Sequence, residues 1–208
     1  RGLGDVYKRQ RLHLGGGGRG GGVLQEVEED HGGALVVALA EHHLAGDEAE
    51  ALGDDDYRRF VERAQAIVQA HGKAAVGWEE VAHAALLPGT VVQHWRGDAA
   101  RLAVAQGAKI IMSPSSRVYL DMKYHEGTPI GLRWAGYIEV QDAYAWDPAS
   151  QVDGVGEGDV LGVEAPIWTE TIVTREHLDF MAFPRLAAVA EVGWSPQARR
   201  EWASFRER

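Results

Sequence analysis

His43-Leu44-Ala45-Gly46-Asp47-Glu48 is the stretch around which the rest of the chain is organised. It follows a short apolar run at residues 34–40 and places two carboxylates side by side, directly after a glycine. Neighbouring side chains of a regular strand point to opposite faces, so the two acids can serve one ligand only if the strand ends there and the backbone turns. Gly46 permits such a turn. Acids at the carboxyl end of a strand lie where α/β folds place their chemistry.

The acid pair taken alone favours a solvated acidic loop. The chain is acidic, and Glu50 and Asp54 to Asp56 follow closely. The functional interpretation is favoured by the downstream segments, because each predicted strand leads to an aromatic or an acidic residue. These candidate ligand contacts are Asp47 with Glu48, Trp78, Trp95, Tyr119 with Asp121, and Trp168 with Glu170.

Composition excludes several classes of protein. The 208 residues are 45% hydrophobic and 25% charged, which is typical of a globular domain. The formal net charge of −10 argues against a nucleic-acid surface and against binding to an anionic membrane. The chain has no cysteine, which excludes disulfides and thiolate metal sites. No apolar run approaches the roughly 20 residues of a membrane-spanning helix.

The first 30 residues do not read as part of a domain. Residues 1–10 have no periodicity and are similar to translated adapter or vector sequence, and residues 15–22 contain seven glycines. A glycine run of this kind cannot bury enough surface to offset its conformational entropy. We therefore expect residues 1–30 to be non-native or disordered. No signal peptide is visible, and we expect the native N-terminus to be missing, so secretion and a cytoplasmic location both stay open.

The remaining chain alternates short strands with helices. The apolar spacing of Phe60, Val61, Ala64, Ile67 and Val68 predicts a helix that Asp54 to Asp56 cap and Gly72 ends. After the run at 34–40, further strands are predicted at 73–76, 90–93, 109–112 and 160–163. A short helix is predicted at 99–106, and residues 122–158 form a long loop with a short helix near 138–144. Thr174 is predicted to cap a last helix that Pro184 kinks or splits.

This alternation predicts an α/β fold with a parallel sheet whose faces are covered. Ligand contacts at the carboxyl ends of successive strands are typical of a (β/α)₈ TIM barrel. Only about five βα units are present, so the sequence predicts the C-terminal part of such a barrel. A smaller open α/β sheet is the alternative.

The predicted mouth combines tryptophans with carboxylates, which suits a sugar. Pyranose rings have apolar faces that stack on aromatic rings, and their hydroxyls bind carboxylates. A metal site built from His42, His43 and Asp47 is disfavoured, because adjacent strand residues point apart and no further spaced ligands follow. We expect neither a metal nor a cofactor.

The stretch His43 to Glu48 resembles the His-x-Gly-Gly-Asp-Glu motif of the β-N-acetylhexosaminidases of glycoside hydrolase family 20. The resemblance continues in order through residues 43–205. Its further motifs are Gly77-Trp78-Glu79-Glu80, Gln93-His94-Trp95, Tyr119-Leu120-Asp121, Trp134-Ala135-Gly136-Tyr137, Trp146-Asp147-Pro148, Glu164-Ala165-Pro166-Ile167-Trp168-Thr169-Glu170, Phe183-Pro184-Arg185 and Glu191-Val192-Gly193-Trp194-Ser195-Pro196. Residues 31–208 would then be the C-terminal portion of a TIM-barrel catalytic domain.

The resemblance implies a retaining, substrate-assisted hydrolysis of terminal GlcNAc or GalNAc, in which the 2-acetamido oxygen of the substrate attacks the anomeric carbon. Glu48 would be the general acid and then the base, and Asp47 would orient the acetamido group, with His43 behind the pair. Tyr119 would donate a hydrogen bond to the acetamido oxygen. The implied substrate-binding residues are Trp78, Trp95 and Trp168 around the acetamido group, Asp121 and Glu170 on sugar hydroxyls, and Trp134 near the aglycone.

Two departures from the family pattern bear on function. Ala45 stands where the family usually has glycine, and the first three barrel strands are absent. We therefore expect the chain alone to be poorly soluble or inactive, because a half-barrel exposes strand edges. The alternative function is that of a non-catalytic, sugar-binding half-barrel or pseudoenzyme. The expected partners are glycans that end in N-acetylhexosamine, and the oligomeric state is left open.

Overall fold

The computed structural model of the protein describes residues 53–208 and the backbone of residues 11–15. Five parallel strands form one sheet in the order β1-β5-β4-β3-β2. The strands are β1 (Arg11–Gly15), β2 (Val76–Trp78), β3 (Val91–His94), β4 (Lys109–Met112) and β5 (Val160–Trp168). From β2 to β5 each strand therefore lies beside the next one in the chain, as in a barrel.

Seven α-helices accompany these strands in the described part of the chain. They are α1 (Asp54–Ala70), α2 (Ala100–Ala105), α3 (Ser115–Val118), α4 (Val140–Tyr144), α5 (Arg175–Ala182), α6 (Arg185–Trp194) and α7 (Trp202–Glu207). Short 3₁₀ turns occupy Glu79–His83, Glu157–Asp159 and Gln197–Arg199. The apolar core lies between the sheet and these helices, and includes the fully buried Val92, Ile110 and Ile167.

The strand predictions hold for β3 and β4 and need two corrections. The strand predicted at 73–76 is instead Val76–Trp78. The strand predicted at 160–163 continues to Trp168, through Glu164 and Pro166. It continues because the backbone of Glu164–Trp168 pairs in parallel with that of Arg11–Gly15. The buried Glu164 carboxylate accepts a hydrogen bond from Gln93 Nε2 on β3, at 3.1 Å, which offsets part of the cost of burying its charge.

Helix α1 is present as predicted, but its first turn and its buried face differ from the prediction. The N-cap residue is Gly53, and Asp54 to Asp56 form the first turn, where their charges favour the positive end of the helix dipole. Val61 and Gln65 are buried, whereas Phe60 and Ile67 are more than half exposed. The face rotates toward Gln65 because its side chain accepts hydrogen bonds from Leu87 N–H and the Thr90 hydroxyl. Gly72 follows the helix with φ +69°, as predicted.

The last helical segment is split, as the position of Pro184 predicts. Thr174 Oγ1 accepts a hydrogen bond from the amide of His177 and caps α5. A cis peptide bond joins Phe183 and Pro184, and α6 starts at the next residue. Within the described residues, no helix has the length and apolar character to cross a membrane.

The prediction of a partial (β/α)₈ barrel is confirmed by the parallel, sequentially ordered strands and by the structural neighbours described below. The run at 34–40 lies outside the described residues. Within the segment that we expected to be non-native, the backbone of Arg11–Gly15 pairs with Glu164–Trp168 of β5. The domain division at residue 30 stays a prediction.

Candidate active site

Four aromatic side chains meet at the carboxyl ends of β2, β3 and β4. The Trp95 ring centroid lies 6.3 Å from that of Trp78, 6.5 Å from that of Tyr119 and 6.0 Å from that of Trp134. Trp134 and Tyr119 are 5.6 Å apart and nearly perpendicular. Trp95 therefore contacts the other three members, and we call this group the aromatic cluster. Edge-to-face pairs of this kind are favourable beyond the area that they bury.

Burial divides the aromatic cluster into a floor and a rim. Trp78, Trp95 and Tyr119 are 6%, 7% and 2% exposed, whereas Trp134 is 51% exposed. The three buried rings pack against the core, and Trp134 presents an aromatic face to solvent. A surface of this kind binds the apolar face of a ring-shaped ligand.

Asp121 lies beside the aromatic cluster as a buried acid. It is 1% exposed, and within the described structure no donor meets either carboxylate oxygen with good hydrogen-bond geometry, although the backbone amides of Asp121 and Trp168 lie nearby. Burial, helped by the charge of Glu170, raises its pKa to about 7, against the opposing effects of the backbone amides of Asp121 and Trp168 and of the Arg185 charge. A buried carboxylate that lacks hydrogen-bond donors is suited to accept them from a ligand.

Backbone contacts hold the Asp121 segment and the start of the Trp134 loop together. The amide of Leu132 donates to the carbonyl of Asp121 at 2.8 Å, and the amide of Lys123 donates to the carbonyl of Leu132 at 2.7 Å. Gly131 adopts φ +101°, and a Cβ atom there would lie 2.8 Å from the Asp121 carbonyl oxygen. Only glycine fits this close approach, which brings the loop against the site.

Arg185 supports the same segment from below. Its fully buried guanidinium donates to the carbonyls of Leu120 and Met122, on either side of Asp121, at 2.7 and 2.6 Å. Two more hydrogen bonds reach the carbonyls of Ile138 and Met181. The guanidinium carbon also lies 3.8 Å from the centroid of the Tyr124 ring.

The end of β5 contributes Trp168 and Glu170. Trp168 is partly buried and packs against the core, and Glu170 is exposed. The amide of Leu120 donates to the carbonyl of Pro166 at 2.8 Å, which links the Asp121 segment to the end of β5 that leads to both residues. The structure thus brings together Trp78, Trp95, Tyr119, Asp121, Trp134, Trp168 and Glu170, although their roles stay predictions.

The predicted acid pair, Asp47 and Glu48, lies outside the described residues, and so does His43. Among the described residues, no three metal-ligating side chains form a cluster.

Sequence reasoning gave no role to two further groups at this site. Glu79 and Glu80 directly follow Trp78, and both carboxylates accept hydrogen bonds from Trp95. The other group is Arg185, described above. The signal for the glutamates was present, because two adjacent acids follow a predicted strand. The signal for Arg185 was the Phe183-Pro184-Arg185 motif, but an arginine at the start of a helix usually faces solvent, so the motif alone did not predict its burial.

Comparison with known proteins agrees with this geometry. The model of "Glycosyl hydrolase family 20, catalytic domain" matches residues 40–197. A β-N-acetylhexosaminidase of Cellulomonas fimi is 48% identical over 167 residues, which are 78% of this chain and 34% of that protein. A β-hexosaminidase of Porphyromonas gingivalis is 35% identical over 149 residues, covering 70% of this chain and 19% of that protein. The chain therefore spans about a third or less of the length of these two relatives.

Solved structures show the same likeness. The family 20 β-N-acetylhexosaminidase of Streptomyces coelicolor superposes with a TM-score of 0.74 at 46% identity, over 78% of this chain and 34% of that one. A β-hexosaminidase of Streptomyces plicatus gives a TM-score of 0.73 at 47% identity, over 77% and 34% of the two chains. By the family match and by these identities, the chain belongs to glycosyl hydrolase family 20.

Proposed function

We propose that the protein to which this chain belongs is a glycoside hydrolase that removes terminal, non-reducing N-acetylhexosamine residues. The observation that carries the proposal is the aromatic cluster with the buried Asp121 beside it, at the carboxyl ends of parallel strands. Related proteins support the choice of sugar, because a mutant Streptomyces plicatus β-hexosaminidase has been solved in complex with GlcNAc as product.

We assign the chemistry to the acid pair and to Tyr119. Glu48 protonates the leaving oxygen and later activates water, while Asp47 orients the 2-acetamido group, whose oxygen attacks the anomeric carbon. Tyr119 donates a hydrogen bond to that oxygen. The intermediate is then an oxazolinium ion bound to no protein side chain, and the product retains the β configuration. His43 supports the acid pair.

The described part of the site supports our assignment of the binding residues. Trp78, Trp95 and Trp168 enclose the acetamido group, and the exposed Trp134 stacks on the aglycone side. Asp121 and Glu170 accept hydrogen bonds from sugar hydroxyls. The substrate supplies donors to the Asp121 carboxylate, which stabilises its ionised form.

Hydrolysis of a chromogenic N-acetyl-β-glucosaminide tests the proposal, with the 208-residue chain and with a version extended upstream by the preceding barrel units of a family 20 relative. We expect turnover by the extended chain and a loss of at least about 100-fold in kcat on Glu48→Gln, because general acid–base catalysis contributes factors of this size. Equal turnover by Glu48→Gln would contradict the assignment. Binding of GlcNAc without turnover by either chain would favour the alternative of a sugar-binding half-barrel.

A further inference from the structure

Two adjacent carboxylates, those of Glu79 and Glu80, are both directed at Trp95, the residue that contacts every other member of the aromatic cluster. The two glutamates start the 3₁₀ turn that follows β2, and Trp95 follows β3. They therefore connect the carboxyl ends of two neighbouring strands.

Glu79 holds the main chain at Trp95. Its carboxylate is 2% exposed and accepts hydrogen bonds from the amides of Arg96, Trp95 and Ala100, at 2.6, 3.3 and 3.3 Å. His94 Nδ1 lies 3.0 Å from the same carboxylate. These contacts satisfy amides between β3 and α2 that the sheet leaves unpaired, and so they fix the position of the Trp95 backbone.

Glu80 contacts the side chain of the same residue. Its Oε1 accepts a hydrogen bond from Trp95 Nε1 at 2.8 Å. The Arg96 guanidinium lies over the Trp95 ring, with its carbon 4.0 Å from the centroid. The backbone contacts leave the rotation of the indole about its χ angles open, whereas a hydrogen bond at Nε1 selects one rotamer.

We propose that Glu80 is a positioning residue that fixes the plane of the Trp95 indole and thereby the shape of the aromatic cluster. Its carboxylate is a stronger acceptor for the indole N–H than a neutral group would be. Glu79 thus holds the backbone of Trp95 in place, and Glu80 sets the orientation of its ring. The role is independent of any ligand, so it can be tested on the free chain.

Exchange of indole N–H protons with solvent, measured by NMR on the ¹⁵N-labelled chain, tests this proposal directly. The seven tryptophans give seven indole signals, and Trp95→Phe identifies that of Trp95. We expect Glu80→Ala to shift the Trp95 signal and to accelerate its exchange by about tenfold or more, because a hydrogen bond to a charged acceptor is lost. Glu80→Gln, which keeps a neutral acceptor, should give an intermediate rate.

Two controls separate this effect from general loosening of the fold. Trp146 Nε1 donates to the neutral carbonyl of Ala143 at 3.0 Å and lies in the core, so its exchange rate should not change. Glu157→Ala removes an exposed glutamate from the turn before β5 and should leave both signals in place. An unchanged Trp95 shift and exchange rate in Glu80→Ala would overturn the proposal. If that variant does not fold, an unchanged Trp95 signal in Glu80→Gln overturns it instead.

A ligand measurement extends the test and rests on the proposed function. Where the wild-type chain quenches its tryptophan fluorescence on binding GlcNAc, Glu80→Ala should weaken that binding by about tenfold, and Glu157→Ala should not. Absence of binding by the wild-type chain counts against sugar binding by this chain alone, whereas the exchange rates decide the role of Glu80.

Discussion

Asp121→Asn should stabilise the folded chain at neutral pH. The wild-type carboxyl is 1% exposed, and burial raises its pKa to about 7 from an ordinary value of 3.8. The folded state therefore holds the proton more tightly than the unfolded state does. The stabilisation that this carboxyl contributes is fully present when the pH is below its pKa in the unfolded state. It is lost as the pH rises through its pKa in the folded state.

The size of the effect follows from the difference between the two pKa values. A rise of about three pKa units corresponds to about 4 kcal/mol, lost between about pH 4 and pH 8. Asparagine has a similar shape and cannot ionise, so the stability of the variant does not fall with rising pH for this reason. We expect the free energies of unfolding of the two proteins to differ by a small, constant amount near pH 4. By about pH 8 this difference should have shifted in favour of the variant by about 4 kcal/mol.

Urea unfolding, followed by tryptophan fluorescence at low micromolar protein concentration, measures this difference at each pH. All other groups titrate in both proteins, so subtraction isolates Asp121. Asp153→Asn removes an exposed loop carboxylate and should change the free energy of unfolding by less than about 0.5 kcal/mol. A difference between Asp121→Asn and the wild type that stays constant with pH would refute the reasoning, as would a variant that loses relative stability with rising pH.

Gly131→Ala should destabilise the fold more than Gly136→Ala. Both glycines have φ +101°, but of the two only Gly131 would bring the new Cβ within 4 Å of other atoms. Urea unfolding should therefore show an additional loss of about 1–3 kcal/mol in the free energy of unfolding for Gly131→Ala. Equal losses in the two variants would show that the close approach at Gly131 is unimportant. Arg185→Met should cost at least about 3 kcal/mol in the same assay, because four carbonyls lose a buried charged donor. Arg175→Met, which removes an exposed ion pair, should cost less than about 1 kcal/mol, and a similar cost at Arg185 would contradict its supporting role.

The parts of the fold that the sequence predicts are those encoded by local patterns. The strands β3 and β4, the αL residue Gly72 and the cap at Thr174 each depend on a few neighbouring residues, and all are found. The predicted end of β5 was wrong, because the strand that pairs with Glu164–Trp168 is Arg11–Gly15, which is distant in the chain. The predicted buried face of α1 was right for Val61 but missed Gln65, since the partners of Gln65 lie more than 20 residues away in the chain.

The candidate site shows the same division. The aromatic residues could be predicted because each follows a strand, and parallel strands bring their carboxyl ends together. The raised pKa of Asp121 could not, because it depends on burial beneath a loop that returns to it through Gly131. Likewise, the Phe183-Pro184-Arg185 motif marks Arg185 but does not predict its burial, since its four acceptors lie on three separate segments.

Asp121 also illustrates a conflict between stability and binding. Its buried carboxyl lowers the stability of the free protein near neutral pH, and a substitution that removes this cost also removes an acceptor for sugar hydroxyls. A protein with Asn at this position would be harder to unfold and, if the proposed function is correct, poorer at holding its substrate. Functional sites commonly show this trade-off.

The order of the strands has a consequence for how the chain folds. Val76 pairs with Val91 and Val91 with Lys109, whereas Ile110 pairs with Val160 across a segment about three times as long. Closing the longer loop costs about 1 kcal/mol more in chain entropy, so β2, β3 and β4 should assemble before β5. Until β5 arrives, the edge of β4 is an open template for a neighbouring chain. During synthesis, the nascent protein would then be most prone to misassembly in the interval between the emergence of β4 and the emergence of Trp168, the last residue of β5.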